Sequence, residues 1–222
     1  MNTSRNILIT AGPTHEPIDA VRYVANRSSG RLGIALAEAA RDAGWSVTLL
    51  LGPVGVKPPA GVALLRFQTA TDLARLLDAH FPACDVLIMA AAVADYRPRA
   101  VPRTKLPRTA DTWVLELEPV PDLVAACCQR KRPDQRVIGF ALEDAAQLDR
   151  RAAEKLRRKR LDAIVANPLE TMGATHVAAT VLTAAGERVP LGAGQDDARP
   201  VSKRAFARKL LAWIDHHLDL PG

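Results

Sequence analysis

Ile7-Leu8-Ile9-Thr10-Ala11-Gly12-Pro13-Thr14, then Glu16-Pro17-Ile18-Asp19, then Asn26-Arg27-Ser28-Ser29-Gly30-Arg31-Leu32-Gly33-Ile34-Ala35 decide the fold of this chain. A short apolar run breaks at a Gly-Pro turn, passes through a long polar loop and restarts as a helix whose first turn reads Ser-Ser-Gly-x-x-Gly. An open α/β sheet builds an anion site in this way at the carboxyl end of its first strand. Backbone N–H groups at a helix N-terminus face outward, and the helix dipole favours negative charge there. The expected ligand carries phosphate or carboxylate, with Gly12 and the Ser28-Ser29-Gly30 helix start as its candidate walls. The plainer reading is a capped helix whose glycines let it pack closely on the sheet. No Gly-x-Gly-x-x-Gly directly follows the strand and no Gly-x-x-x-x-Gly-Lys-[Ser/Thr] is present, so dinucleotide redox chemistry and P-loop hydrolysis lose support.

Outward from this stretch, apolar runs alternate with helical patterns almost to the end. Strands are predicted at 7–11, 46–51, 63–67, 86–90, 113–117, 137–140, 163–166 and 177–183, and helices at 30–43, 70–80, 121–130, 145–159 and 203–218. Strands spaced by helices of this length predict βαβ units and an α/β, Rossmann-like, open and mostly parallel sheet with helices on both faces. Thr71-Asp72 carries cap chemistry for the second helix, and Gly44 closes the first. Ala185-Gly186-Glu187 reads as a hairpin turn into 188–191, which adds a small antiparallel extension. Two segments break the pattern. Residues 96–111 hold three prolines and five Arg or Lys with neither period, and 192–200 reads as a surface loop.

The 222 residues are expected to form one domain, 1–222, with a flap at about 96–111. A chain this size buries about 70% of its unfolded surface, so it needs no disulfide or metal to fold. No stretch reaches the ~18 apolar residues of a membrane span. Residues 1–5 lead straight into a strand with no signal-peptide core, and the cysteines Cys84, Cys127 and Cys128 lack ligand or redox spacing. The expected location is the cytoplasm. A net charge of +6 fits either a nucleic-acid surface or a basic pocket for a polyanionic small molecule. The basic clusters carry no interleaved aromatics and no nucleic-acid-binding motif, which favours the pocket.

Several further groups can carry chemistry. At the exit of the 86–90 strand, Ala90-Ala91-Ala92-Val93-Ala94-Asp95 places small residues where open sheets bind ligands. Asp95 there can hold a metal or a hydroxyl, or simply cap a turn. Lys105, in the basic loop, is either solvated or able to fold over a ligand and neutralise phosphate in a transition state. Lys155 and Lys159 lie four apart, hence on one helical face; alone, such a run reads as a solvated helix end. Phe140 can stack on a base or belong to the core. Pro121-Asp122-Leu123-Val124 reads as a helix start with Pro in the first turn. His216 and His217 read as surface residues, and no Ser/His/Asp set, paired Cys ligands or His cluster appears. The remaining chemistry is electrostatic: hold an anionic substrate beside a nucleotide and stabilise charge as phosphate leaves. A non-catalytic dinucleotide-binding module is the alternative.

Taken in order, these segments resemble the phosphopantothenate–cysteine ligase family of coenzyme A biosynthesis. The matching pieces are Ile-Thr-Ala-Gly-Pro-Thr-x-Glu-Pro-Ile-Asp, Val-Arg-Tyr-Val-Ala-Asn-Arg-Ser-Ser-Gly-Arg-Leu-Gly, Ala-Ala-Val-Ala-Asp-Tyr, Lys105, Pro-Asp-Leu-Val, Gly-Phe-Ala-x-Glu and Lys-x-x-x-Lys-x-x-Asp-x-Ile-Val-Ala-Asn. They span residues 7–167; the C-terminal quarter matches only in pattern. The resemblance implies a two-step reaction. The carboxylate of 4′-phosphopantothenate attacks the α-phosphate of CTP with Mg²⁺, giving an acyl-cytidylate, and the amine of cysteine then displaces CMP. It further implies that Asn26 contacts the acyl region, that Gly12 and Ser28–Gly30 lie against phosphate, and that Ala91 and Asp95 line the nucleotide, with Ala91 also toward the substrate. Pro121, Asp122, Leu123, Val124 and Phe140 frame the cytosine, while Lys105, Lys155 and Lys159 neutralise phosphates. CTP is favoured over ATP. A homodimer is implied, with no flavin, no nucleic acid and no membrane, and a separate phosphopantothenoylcysteine decarboxylase as functional partner. After Lys105 the family often carries Ile-Lys-Lys where this chain has Leu106-Pro107-Arg108, which removes one cation and stiffens the flap. Ala20 and Asn167-Pro168 depart from the pattern at positions given no chemical role.

Overall fold

Strand β1 (Asn6–Ala11) sits at the centre of the main sheet because both of its faces are apolar. Ile7, Ile9 and Ala11 enter one hydrophobic layer and Leu8 the other. In the computed structural model, which describes residues 5–171, 173–192 and 199–218, the chain continues through β2 (His15–Pro17), β3 (Tyr23–Ala25), α1 (Arg31–Asp42), β4 (Ser46–Leu51), β5 (Ala63–Arg66), α2 (Ala70–His80) and β6 (Val86–Met89). It then forms β7 (Tyr96–Pro98), β8 (Leu117–Pro119), α3 (Leu123–Gln129), β9 (Arg136–Glu143), α4 (Leu148–Lys159), β10 (Ala163–Pro168), β11 (His176–Val177), β12 (Thr180–Thr183), β13 (Arg188–Pro190), β14 (Val201–Ser202) and α5 (Lys203–His217).

The eight-stranded sheet has the order β13-β12-β10-β9-β6-β1-β4-β5, parallel except for β12 and β13. From β5 to β10 this is the doubly wound order, with its switch point between β1 and β6, where ligands bind beyond the carboxyl ends. Helices α1 and α5 cover one face, and α2, α3 and α4 the other. The expected Rossmann-like sheet with an antiparallel extension is present.

The local elements differ from expectation in instructive ways. The segment 113–117 is not a strand: Trp113 and Val114 are 50% and 77% exposed, so their apolar pattern faces no core. The strand is β8, and it pairs with β7 rather than the main sheet, so the segment 96–111, expected to be irregular throughout, opens with a strand. The run 177–183 divides because its first part pairs with β14 and its second with β10. Helix α2 is capped by Thr69, two residues before the expected cap, in a capping box with Asp72. Helix α3 is capped by Asp122, which leaves Pro121 outside the helix. The helix expected from 145 opens with a 3₁₀ turn over Ala145–Gln147. The hairpin turn holds, with the Gly186 N–H donating to the Thr183 carbonyl. The loop expected at 192–200 lies mostly outside the described residues.

Helix α1 approaches β1 closely because Gly33 has no side chain. A Cβ there would stand 2.4 Å from the Ala11 Cβ.

Candidate functional site

The polar stretch between β1 and α1 is longer than the tight first turn of a dinucleotide fold, and it is built as a hairpin of β2 and β3. Three of its charged residues, Glu16, Asp19 and Arg22, are committed to structure. Glu16, 2% exposed, accepts from the Ala70 N–H at the start of α2 at 2.8 Å, so it answers that helix's N-terminal donors. Asp19 accepts from the N–H groups of Val21 and Arg22 at 2.8 Å and from Leu106 N–H at 3.1 Å. Its carboxyl is held well below the usual range, first by the Arg22 guanidinium and then by these backbone donors. The Arg22 guanidinium also donates to the Leu106 carbonyl and lies over the Trp113 ring. Asp19 and Arg22 thus fasten the 99–116 loop beside Lys105 to the hairpin.

The loops leaving β1 and β6 are zipped together. Ala92 N–H donates to the Gly12 carbonyl at 2.9 Å, Thr14 N–H to the Ala92 carbonyl at 3.2 Å, and Ala94 N–H to the Thr14 hydroxyl at 3.0 Å. Asn26 joins this assembly by donating its side-chain amide to the Val93 carbonyl at 2.9 Å. Two segments distant in sequence thereby become one rigid rim.

Beyond that rim lies a cleft of about 770 Å³. Of the residues expected at a site, it brings together Asn26, Ser28, Ser29, Gly30, Ala91, Asp95, Pro121, Asp122, Leu123, Val124, Phe140, Lys155 and Lys159. Two do not line it. Gly12 lies behind the rim against Gly30, Gly52 and Val54, where its left-handed φ of +84° makes the turn. Lys105 sits next to the Asp19 clasp at the hairpin, outside the lining. The Ser28-Ser29-Gly30 start is no ordinary cap: Gly30 at φ 67° precedes α1, and no side chain caps the helix.

The cleft is basic. Among the described residues its lining carries Arg27, Arg31, Lys155, Arg158, Lys159 and Lys203 against only Asp95 and Asp122. One wall is the α4 stripe of Lys155, Arg158 and Lys159, spaced i, i+3, i+4. Lys155 Nζ lies 2.7 Å from Glu143 Oε1, and Arg151 lies 2.9 Å from Oε2. These cations, Lys155 foremost, hold the Glu143 carboxyl below its ordinary value. Lys159 Nζ lies 2.9 Å from Asp122 Oδ2. Arg31, Asn167 and Lys203, on α1, β10 and α5, also line the cleft. Burial and the neighbouring Arg31 charge both lower the Lys203 ammonium.

Arg31, Arg158, Asn167 and Lys203 had no assigned role from sequence. Arg158 was accessible through its spacing from Lys155. Lys203 was not, because 48 residues separate it from Lys155 and only the fold joins them. The cysteines take no part: all are buried, and burial pushes Cys84 and Cys128 up to about 12. No helix among the described residues is long and apolar enough to cross a membrane.

Residues 2–218 match the DFP family, the DNA/pantothenate metabolism flavoprotein C-terminal domain. The chain belongs to this family. It is 42% identical over 173 residues to the coenzyme A biosynthesis bifunctional protein CoaBC of Vibrio parahaemolyticus, covering 76% of this chain and 43% of that protein. It is also 42% identical over 171 residues to a cysteine/cysteine sulfinic acid decarboxylase of an unknown prokaryotic organism, covering 77% and 47%. The chain therefore spans less than half the length of these curated relatives. Among solved structures it resembles the C-terminal domain of a CoaBC protein at 36% identity and a TM-score of 0.80, covering 97% of this chain and 96% of that one. DFP-family membership and the strand order agree with the motif resemblance.

Proposed function

We propose that this chain is a phosphopantothenate–cysteine ligase domain acting through an acyl-nucleotidylate. The observation that carries the reading is the cleft itself, with six basic residues against two acidic ones among the described residues, at the sheet's switch point, walled by the family motifs. Such a site suits two anionic substrates held together.

In the first step the phosphopantothenate carboxylate oxygen attacks the α-phosphorus of CTP, forming the C(O)–O–P bond as the bond to pyrophosphate breaks. In the second the cysteine amine attacks the acyl carbon, the C–N bond forms, CMP leaves with the C–O bond electrons, and the amine proton is lost. Asn26, held on Val93, is assigned to the acyl group. The Ser28–Gly30 backbone and the Lys155 and Lys159 ammonium groups are assigned to phosphates, where preorganised charge lowers the barrier. Ala91 leaves room for substrate and ribose, with Asp95 toward the ribose. Pro121–Val124 and Phe140 frame the base. Glu143 and Asp122 keep Lys155 and Lys159 extended toward the cleft, so less ordering remains to be done when the nucleotide arrives.

Among the described residues no three His, Cys, Asp or Glu group to cage a metal. Mg²⁺ bound mainly by phosphates and water needs no such cage, and among the described residues Asp95 is the lining carboxylate outside any ion pair. When bound, the ion would neutralise phosphate charge. Lys105 is assigned the same task on closure of its loop, which requires the Asp19 clasp to open or a second subunit to present the loop. A homodimer, a decarboxylase partner and a cytoplasmic location complete the reading.

The test is pyrophosphate release by the purified chain with phosphopantothenate, cysteine, Mg²⁺ and CTP or ATP in turn. Release that needs phosphopantothenate and is faster with CTP is expected, and Lys105→Gln should slow it at least tenfold with an unchanged melting temperature. Release that ignores phosphopantothenate would refute the reading.

A further inference from the structure

The segment between β7 and β8 is fastened at few points. Its ends are joined by the pairing of those strands and by the Arg99 N–H, which donates to the Glu116 carbonyl at 3.1 Å. Among the described residues, the hydrogen bonds, ion pairs and ring contacts of residues 100–115 all go to Asp19 and Arg22. The Leu106 N–H donates to Asp19 Oδ2 at 3.1 Å, and the Leu106 carbonyl accepts from Arg22 Nη2 at 3.2 Å. The Arg22 guanidinium carbon lies 5.1 Å from the centre of the Trp113 ring. Leu106 is half-buried, and Lys105 beside it is exposed.

The receiving side of this contact stands without the strap. The Asp19 side chain has no exposed surface, and it accepts from the Val21 and Arg22 N–H groups at 2.8 Å and from Arg22 Nε at 2.9 Å. Those donors all lie at the turn joining β2 to β3. If Leu106 departs, Asp19 loses one N–H and keeps the guanidinium, so no buried charge is left uncompensated. The strap gives up two hydrogen bonds and one ring contact, each worth up to about tenfold in an equilibrium. A preassembled pair that grips so few groups can let go without unfolding anything else.

We propose that Asp19 and Arg22 are positioning residues for Lys105: they latch the strap at Leu106 and Trp113 and hold Lys105 outside the cleft until a nucleotide draws it in. This inference rests on the ligase reading, which assigns Lys105 to phosphate charge. The latch weakens apparent nucleotide affinity, because only chains with the strap released gain the Lys105 contact.

The test uses Leu106→Pro, which removes the N–H donor, and Trp113→Ala, which removes the ring. Both leave the Asp19–Arg22 pair intact, and both positions lie outside the two hydrophobic layers, so the fold should survive. Trypsin cleavage at Arg103 and Arg108 without ligand, followed by mass spectrometry, reads the released strap, since cutting tracks the open population. Each variant should be cut at least about threefold faster than the unaltered chain, and the two together about tenfold faster. Calorimetry with CTP and Mg²⁺ should show severalfold tighter binding by the double variant, a gain that vanishes when Lys105→Gln is added. A cleavage rate that does not move in the double variant overturns the latch. So does a gain that persists beside Lys105→Gln, or a loss of affinity, which would mean that the clasp presents Lys105 instead of restraining it. If the unaltered chain releases no phosphopantothenate-dependent pyrophosphate, the ligase reading has failed, while the cleavage rates still decide whether Asp19 and Arg22 hold the strap.

Discussion

Gly33→Ala tests whether close approach of α1 to β1 holds the site in place. Glycine inside a helix normally destabilises it, so replacement by alanine alone should raise stability by about 0.5–1 kcal/mol. The structure predicts the opposite sign. The new Cβ would stand 2.4 Å from Ala11 Cβ, 3.1 Å from Ala11 Cα and 3.2 Å from the Thr10 carbonyl oxygen. Carbon atoms in contact sit about 3.5–4.0 Å apart, so the helix must retreat by roughly 1 Å or more. No rotamer change relieves the clash, because the opposing atoms are backbone and a Cβ. Overpacking costs about 1–3 kcal/mol, and an approach of 2.4 Å belongs to the upper part of that range, about 2–3 kcal/mol, which leaves a net loss of about 1–2 kcal/mol after a helix gain of about 1 kcal/mol. For a domain of this size that is a melting temperature lower by about 2–8 °C. The shift is read by thermal unfolding and checked by urea titration. Because α1 carries Ser28–Gly30 and Arg31 at its N-terminal end, nucleotide affinity measured by calorimetry should fall with it. A melting temperature that is unchanged or raised would refute the packing argument.

The Glu143 carboxyl is held low by Lys155 and Arg151, so its contribution to stability is complete above the ordinary carboxylate pKa and is lost as pH falls through the depressed folded value. Acid unfolding followed by circular dichroism from pH 6 to 2 should therefore show a shallower acid limb in Glu143→Gln than in the unaltered chain; identical limbs would exclude the linkage. The thiols of Cys84, Cys127 and Cys128 are buried and raised, so a thiol-reactive chromogen should label none in the native protein and all three after urea. Rapid native labelling would show that their cover opens.

The central sheet was legible because its strands are short apolar runs spaced by helices, and a strand buried on both faces needs no partner information to be recognised. Trp113–Val114 was misread for the converse reason: an apolar pair looks alike whether it faces a core or an arginine. The caps at Thr69 and Asp122 moved by one or two residues because several neighbouring residues can accept the same backbone donors, and packing selects among them.

The site divides along the same line. Asn26, Asp95, Phe140 and the Lys155/Lys159 pair stand in local motifs, at strand exits or at helical spacing, and their residue types already describe a pocket for anions. Sequence alone determined the doubly wound sheet, the basic character of its cleft and the family resemblance, because these depend on composition and on spacings within about ten residues. Only the tertiary structure decided that Asp19 clasps the loop bearing Lys105, that Gly12 turns the chain behind the cleft rather than in it, and that Asn167 and Lys203 line the same cleft as Lys155 and Lys159. Those facts depend on contacts between segments tens of residues apart, and a linear pattern carries no distance across the fold.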